Sequence, residues 1–338
     1  MKKLRNILLV GSVVLLIVLA IAISFSIGWR PFIGPRARPV TARKFEVTPQ
    51  RLERGKYIFN SMSACVDCHS EHDMKSPDHP VQPGTEGAGE VMPFEGLPGR
   101  IVAPNLTSDV ATGAGGWSDD QIARAIREGI GHDGRALFPM MPYEHYRSMS
   151  DEDLAAVVVY IRSLPPVKHE LPRTDVIFPV KYLIRGVPQP ITEPVQAPDP
   201  KDRVGWGTYL VNMGGCIDCH TPMQRGELLK GMEFAGGQEF KGAWGSSVAS
   251  ANITLDPSGI SYYDEGLFLQ VMRTGYVGAR KLNALMPTEQ YRGQTDDDLK
   301  AIFAYLKTIK AVHHRVDNTE TPTYCKLCRG THGAGDKN

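Results

Sequence analysis

The sequence carries almost no net charge, 38 Lys and Arg against 37 Asp and Glu for a formal +1, and has no basic run interleaved with aromatics. A nucleic-acid-binding chain needs a positive stripe to displace counterions, so nucleic acid is excluded as a partner. Low-complexity tracts are few, and 42% hydrophobic content over 338 residues suits about two globular domains. Cysteine is scarce, with six in all. Scattered structural disulfides would not sort these six into three Cys-x-x-Cys pairs, Cys65/Cys68, Cys216/Cys219 and Cys325/Cys328. Neither paired carboxylates nor nucleophile–base sets cluster around the pairs, which argues against a dedicated acid–base active site and leaves no catalytic residue to nominate.

One long apolar run is present. Met1-Lys-Lys-Leu-Arg-Asn precedes an uncharged stretch from Ile7 to Ile27, and Trp29 closes it. Residues 1–30 therefore read as a transmembrane helix that anchors the chain, with the basic end cytoplasmic and everything after Arg30 exported. Arg36, Arg38, Arg43 and Lys44 put basic residues at the other flank too, so a cleaved signal peptide is the alternative. Residues 31–47 read as a linker. The expected location is the cytoplasmic membrane, single-pass, with the globular part on the periplasmic side.

The chain then repeats itself. Cys65-Val-Asp-Cys-His69, Asn105-Leu-Thr107, Met141-Pro142 and Leu154–Leu164 recur as Cys216-Ile-Asp-Cys-His220, Asn252-Ile-Thr254, Met286-Pro287 and Leu299–Ile309. Thirteen residues separate the methionine from the leucine in each copy, a register that marks one duplicated unit. Each copy reads as mostly helical with long loops. A cap-plus-proline start at Thr48-Pro49 or Asp199-Pro200 opens a first helix that ends at the cysteines. A second helix begins near Ser118 or Asp264 and stops at Gly129 or Gly275, and a last one opens at Ser150 or Thr295 with acids in its first turn. The domains are expected at 48–168 and 199–312, joined by a Pro-rich linker over 169–198 and followed by a tail over 313–338. Ser70–Gly99 reads as a loop over the first site.

Cys-x-x-Cys-His is specific because each element has a task. Two thiols add to the vinyl groups of haem, and the adjacent imidazole binds its iron. Two copies of that motif in one exported, repeated unit predict two covalently bound haem c groups, on Cys65, Cys68 and His69 and on Cys216, Cys219 and His220. The sixth iron ligand must come from farther along the chain, and the methionines that recur in register are Met141 and Met286. Met140 is the competitor beside the first. His72, His79, His132 and His145 lack histidine counterparts in the second copy and read as solvated surface or loop residues. Tyr57/Tyr209 and Tyr160/Tyr305 recur as well, with packing of the terminal helices as their expected role and contact with haem propionates as the alternative. Cys325-Lys-Leu-Cys328 lacks the following histidine. A local disulfide suits it in an oxidising compartment, and a metal site with His332 and either His313 or His314 is the alternative.

Four segments carry a resemblance. Ala103-Pro-Asn-Leu-Thr, Gly116-Trp-Ser-Asp-Asp-Gln-Ile, Leu137-Phe-Pro-Met-Met-Pro-Tyr and Ser150-Asp-Glu-Asp-Leu resemble the multihaem cytochrome c subunits of membrane-bound alcohol and gluconate dehydrogenases. The resemblance implies cytochrome c domains of class I type, and together with the repeat and the N-terminal apolar run it gives the expected all-α fold of two tandem domains after one N-terminal transmembrane helix, where those subunits commonly carry three haem domains. It implies iron ligation by the Met-Pro methionine, which falls on Met141 and Met286. It also implies electron transfer from a dehydrogenase or respiratory partner to quinone or another redox carrier, a quinol-oxidising complex being a further candidate partner. With both axial positions filled, the chain is a carrier or the electron-transfer subunit of an oxidoreductase complex and not itself a catalyst. The alternative is a dihaem, peroxidase-like oxidoreductase with one open iron.

Overall fold

The computed structural model describes residues 2–76, 78–242 and 247–333, so Met1 and the last five residues of the tail lie outside it. The apolar run forms α1 (Lys2–Phe25), 24 residues that include an 18-residue stretch with a mean hydropathy of 3.1, and none of its residues is buried against the remaining chain. At 1.5 Å per residue it is about 36 Å long, enough to cross a bilayer core.

Six further helices form two matching sets: α2 (Pro49–Tyr57), α3 (Asp119–Glu128) and α4 (Asp151–Ser163), then α5 (Arg203–Met213), α6 (Glu265–Thr274) and α7 (Asp296–Leu306). Their starts are written in side-chain caps. The hydroxyls of Thr48, Ser118, Ser150 and Thr295 and the carboxylates of Asp202 and Asp264 each accept a hydrogen bond from the backbone N–H three residues on, worth about 1 kcal/mol apiece. Ser118 and Gln121 complete a capping box. α3 and α6 end on Gly129 and Gly275 at φ 72° and 71°, the left-handed stop expected from the sequence. One start is displaced. α5 begins at Arg203 on an Asp202 cap, because Asp199 instead accepts from the Lys201 N–H and folds a turn before the helix.

α2 crosses α4 and α5 crosses α7 at very close range. A Cβ on Gly55 would lie 2.0 Å from the Ala156 carbonyl oxygen, and one on Gly207 2.0 Å from that of Ala301, so only glycine permits either crossing. Helix accounts for 38% of the chain. The rest is loop, stapled among the described residues by six two-stranded antiparallel pairs of two or three residues each.

A single apolar core runs through both sets, with Phe59, Leu154 and Val158 from the first continuous with Leu210, Leu299 and Phe303 from the second. Reciprocal polar bonds cross the same contact. The Tyr57 hydroxyl donates to Asp298 at 2.5 Å and accepts from the Thr295 N–H, while the Tyr209 hydroxyl donates to Asp153 at 2.7 Å and accepts from the Ser150 N–H. Each copy's first-helix tyrosine thus caps the other copy's terminal helix. Tyr160 and Tyr305 do pack inward, against Phe59 and Phe234. The segments flanking the first set are tied down as well. Arg38 pairs with Asp120 and Glu128 at 2.7 and 2.8 Å. Within 169–198, Asp175–Val176 pairs antiparallel with Gly99–Arg100, and Val195 accepts from the Asp151 N–H.

Candidate haem-attachment sites

Each Cys-x-x-Cys-His motif follows a left-handed residue, Ala64 at φ 45° and Gly215 at φ 62°. That residue breaks the preceding helical run and turns the chain into a short helix, Cys65–Cys68 or Cys216–His220. On one helical turn, positions i and i+3 share a face, so both thiols of a pair present to the same side. All four thiols are unbridged, with Cys65 and Cys216 half-buried and Cys68 and Cys219 exposed.

The histidines are held the same way in both copies. His69 Nδ1 bonds the Pro104 carbonyl at 2.8 Å, and His220 Nδ1 bonds the Ala251 carbonyl at 2.7 Å. A ring whose Nδ1 donates to a carbonyl carries its lone pair on Nε2, the atom then available to a metal. Burial lowers the pKa of both rings against the opposing effect of those bonds, which keeps them neutral, as ligation requires. Two thiols on one turn beside a neutral, oriented imidazole fit the donor set that covalent haem needs.

The carbonyls are themselves built in. Next in sequence come Asn105 and Asn252, whose side-chain oxygens accept from the backbone N–H and hydroxyl of Thr107 or Thr254, while their amides donate to the Val167 or Val312 carbonyl beyond the terminal helix. The Asn-x-Thr turn thereby fixes the segment whose carbonyl orients the histidine. A second support escaped the sequence reading. Gly89 N donates to the His69 carbonyl and Gly236 N to that of His220. Both glycines have positive φ, and a Cβ on either would fall 2.5 Å or less from that same segment. The recurring Ala88-Gly89 and Ala235-Gly236 pair is the signal that could have found them.

Met141 and Met286 occupy equivalent bends. Each is followed by a proline near ψ 50–58°, accepts a hydrogen bond from the residue two positions on, and packs half-buried against the common core. Among the histidines set aside from the sequence, His145 bonds Asp218 inside the second motif at 2.7 Å. His72 is not solvated. It is buried between Glu90 at 2.7 Å and Asp67 at 3.5 Å, and although burial opposes its charge, those two carboxylates push its pKa up to about 9. His132 stacks on Trp117. The two motifs also lie near one another, since a Cβ on Gly214, just before the second, would be 3.5 Å from the Met62 carbonyl just before the first.

Comparison with known proteins agrees with this chemistry. The family model described as cytochrome c matches residues 52–165. The gluconate 2-dehydrogenase cytochrome c subunit of Pantoea cypripedii is 29% identical over 275 residues, covering 77% of this chain and 60% of its own length. The fructose dehydrogenase cytochrome subunit of Gluconobacter japonicus is 30% identical over 296 residues, 82% of this chain and 56% of its own. A diheme cytochrome c-type protein of Cereibacter sphaeroides is 28% identical over 270 residues, 77% of this chain and 86% of its own. The chain thus spans little more than half the length of the dehydrogenase subunits. Residues 52–165 are a cytochrome c domain, which implies covalently bound haem c, and the chain is a homologue of cytochrome c subunits of alcohol, gluconate and fructose dehydrogenases and of a diheme cytochrome c.

Proposed function

We propose that the chain is a membrane-anchored dihaem electron carrier built from two tandem class I-type, essentially helical cytochrome c domains, 48–168 and 199–312, held at the periplasmic face of the cytoplasmic membrane by residues 1–30. The observation that carries this reading is the duplicated histidine setting, in which Pro104 and Ala251 hold His69 and His220 in the same tautomer beside unbridged thiols. Cys65 and Cys68, and Cys216 and Cys219, would attach the two haems. His69 with Met141, and His220 with Met286, would supply the axial ligands. When bound, each haem supplies an iron that alternates between ferric and ferrous states.

The protein's own part is orientation and closure. Each imidazole is pinned at Nδ1, each methionine sits in a rigid Met-Pro bend against apolar packing, and the shared core keeps the two motifs at a fixed separation. Two filled axial positions favour transfer of electrons over binding of a substrate. The named relatives support a dehydrogenase as the partner, and on the resemblance of the sequence motifs it would donate electrons that pass to quinone or another redox carrier.

Magnetic circular dichroism of the oxidised protein, together with a pyridine haemochrome count, tests the reading. Two haem c groups per chain with the near-infrared band of His/Met ligation at both irons are expected. A single haem would overturn the dihaem assignment, and a high-spin iron would replace the carrier by the peroxidase-like reading.

A further inference from the structure

We propose that His314, Cys325, Cys328 and His332 form a structural zinc site that pins the C-terminal tail behind the second histidine motif. Each residue offers one ligand atom, and the four atoms lie within 4.8 Å of one another. Cys325 Sγ is 3.4 Å from His314 Nε2, and Cys328 Sγ is 3.1 Å from His332 Nε2. With Zn–S near 2.3 Å and Zn–N near 2.0 Å, the edges of a tetrahedral S2N2 shell are roughly 3.3–3.8 Å, so a small contraction of the cluster encloses the ion. The two sulfurs are not bonded to each other. His313, the other histidine considered from the sequence, turns outward to Asp256 at 3.0 Å and takes no part.

Both imidazoles are oriented for the task. His314 Nδ1 bonds the Ala235 carbonyl at 2.9 Å and His332 Nδ1 the Arg315 carbonyl at 3.2 Å, which turns Nε2 of each ring toward the sulfurs. His314, Cys328 and His332 are buried and Cys325 half-buried, beside a small apolar cluster of Met232, Ala235, Leu229 and Val312. Two thiolates and two imidazoles in a closed, four-ligand setting select zinc, and they leave no position for a reacting water.

The tail needs such a clip. Among the described residues its only strand pairing is a two-residue strand, Thr323–Tyr324, on another, Thr331–His332, and Tyr324 and Leu327 stand exposed. A ladder of that size does not hold by itself in water. Gly237 lies under the cluster, where a Cβ would be 2.5 Å from the His314 ring and 2.7 Å from that of His332, and its neighbour Gly236 donates to the His220 carbonyl. Zinc at this point would brace the backbone behind the second motif alone.

The test uses the full-length, haem-loaded protein isolated without chelator. Zinc is counted against haem iron by mass spectrometry, and zinc K-edge absorption reads the shell directly. One zinc per chain is expected, with two sulfurs at about 2.3 Å and two nitrogens at about 2.0 Å. His314→Ala and Cys328→Ser should each lose that zinc at least tenfold, and His313→Ala should keep it. The wild-type shell gives the answer even where a variant fails to fold. A Cys325–Cys328 disulfide with no zinc, or no zinc uptake after reduction and incubation with zinc salt, overturns the proposal, as does a shell of any other composition.

Discussion

The two halves of the molecule hold the same constellation with different restraints, and the sharpest contrast lies just past the terminal helices. After α4 the chain reaches His169, whose Nδ1 bonds the Ala88 carbonyl at 3.1 Å while Glu71 lies 3.3 Å away, and then returns as a strand on Gly99–Arg100. After α7 it reaches His314, whose Nδ1 bonds the Ala235 carbonyl, and then meets two cysteines and a histidine. A histidine at the matching position bonds the matching alanine carbonyl through Nδ1 in both halves, but it faces a carboxylate in the first and is a ligand candidate in the second. The halves differ also beside the motifs. The buried His72 between two carboxylates belongs to the first half alone, and Ala64 takes the left-handed turn that Gly215 takes in the second.

The strongest way to break the comparison is at the helix crossings. Gly55→Ala and Gly207→Ala should each cost about 3 kcal/mol or more, because the backbone carbonyl in the way cannot move aside. Thermal unfolding would report this, and a loss below about 1 kcal/mol for either would show that the two crossings are not equivalent.

A pH series separates the halves next. The folded pKa of His72 is raised from 6.5 to about 9. Its contribution is therefore fully present below pH 6.5 and is lost as pH rises through 9, on the order of 1–3 kcal/mol. Wild-type stability should fall over that window while His72→Gln stays flatter. His145, raised mainly by its bond to Asp218, acts with the same sign, and His145→Gln, the residue found at Gln290, should remove its share.

The reciprocal tyrosines come third. Tyr209→Phe leaves the buried Ser150 cap N–H without its oxygen and should lower stability by about 1–2 kcal/mol, whereas Tyr57→Phe uncovers the exposed Thr295 N–H, which water can satisfy, and should cost less than about 1 kcal/mol, read in denaturant. Tyr57→Phe leaves Asp298 with the Trp206 indole at 2.6 Å, and Tyr209→Phe leaves Asp153 with Arg54 at 2.7 Å. Equal losses would show that solvent does not replace the hydroxyl at Thr295. The smallest effect is expected at the left-handed turns. Ala64→Gly should stabilise by about 1 kcal/mol and Gly215→Ala destabilise by about as much, since a Cβ on Gly215 meets nothing closer than Asp218 at 3.7 Å. A Gly215→Ala variant as stable as wild type would mean that the second turn relaxes where the first does not.

What the sequence determined by itself is local or periodic. The Cys-x-x-Cys-His motifs, the caps at Thr48, Ser118, Ser150 and Thr295, the glycine stops and the apolar N-terminal helix each depend on residues a few positions apart, where covalent geometry dictates the outcome. Duplication extended that reach by making one copy a template for the other, which is how Met141 and Met286 came to light. Tertiary structure decided whatever depends on residues meeting from afar. Tyr57 and Asp298 are 241 positions apart, and no periodicity announces that a first-helix tyrosine will cap the other copy's terminal helix. The burial of His72, the supports at Gly89 and Gly236, and the choice of His314 over His313 are of the same kind. Adjacent histidines are indistinguishable as letters, and only the path of the chain past Val312 turns one ring toward Asp256 and the other toward the sulfurs.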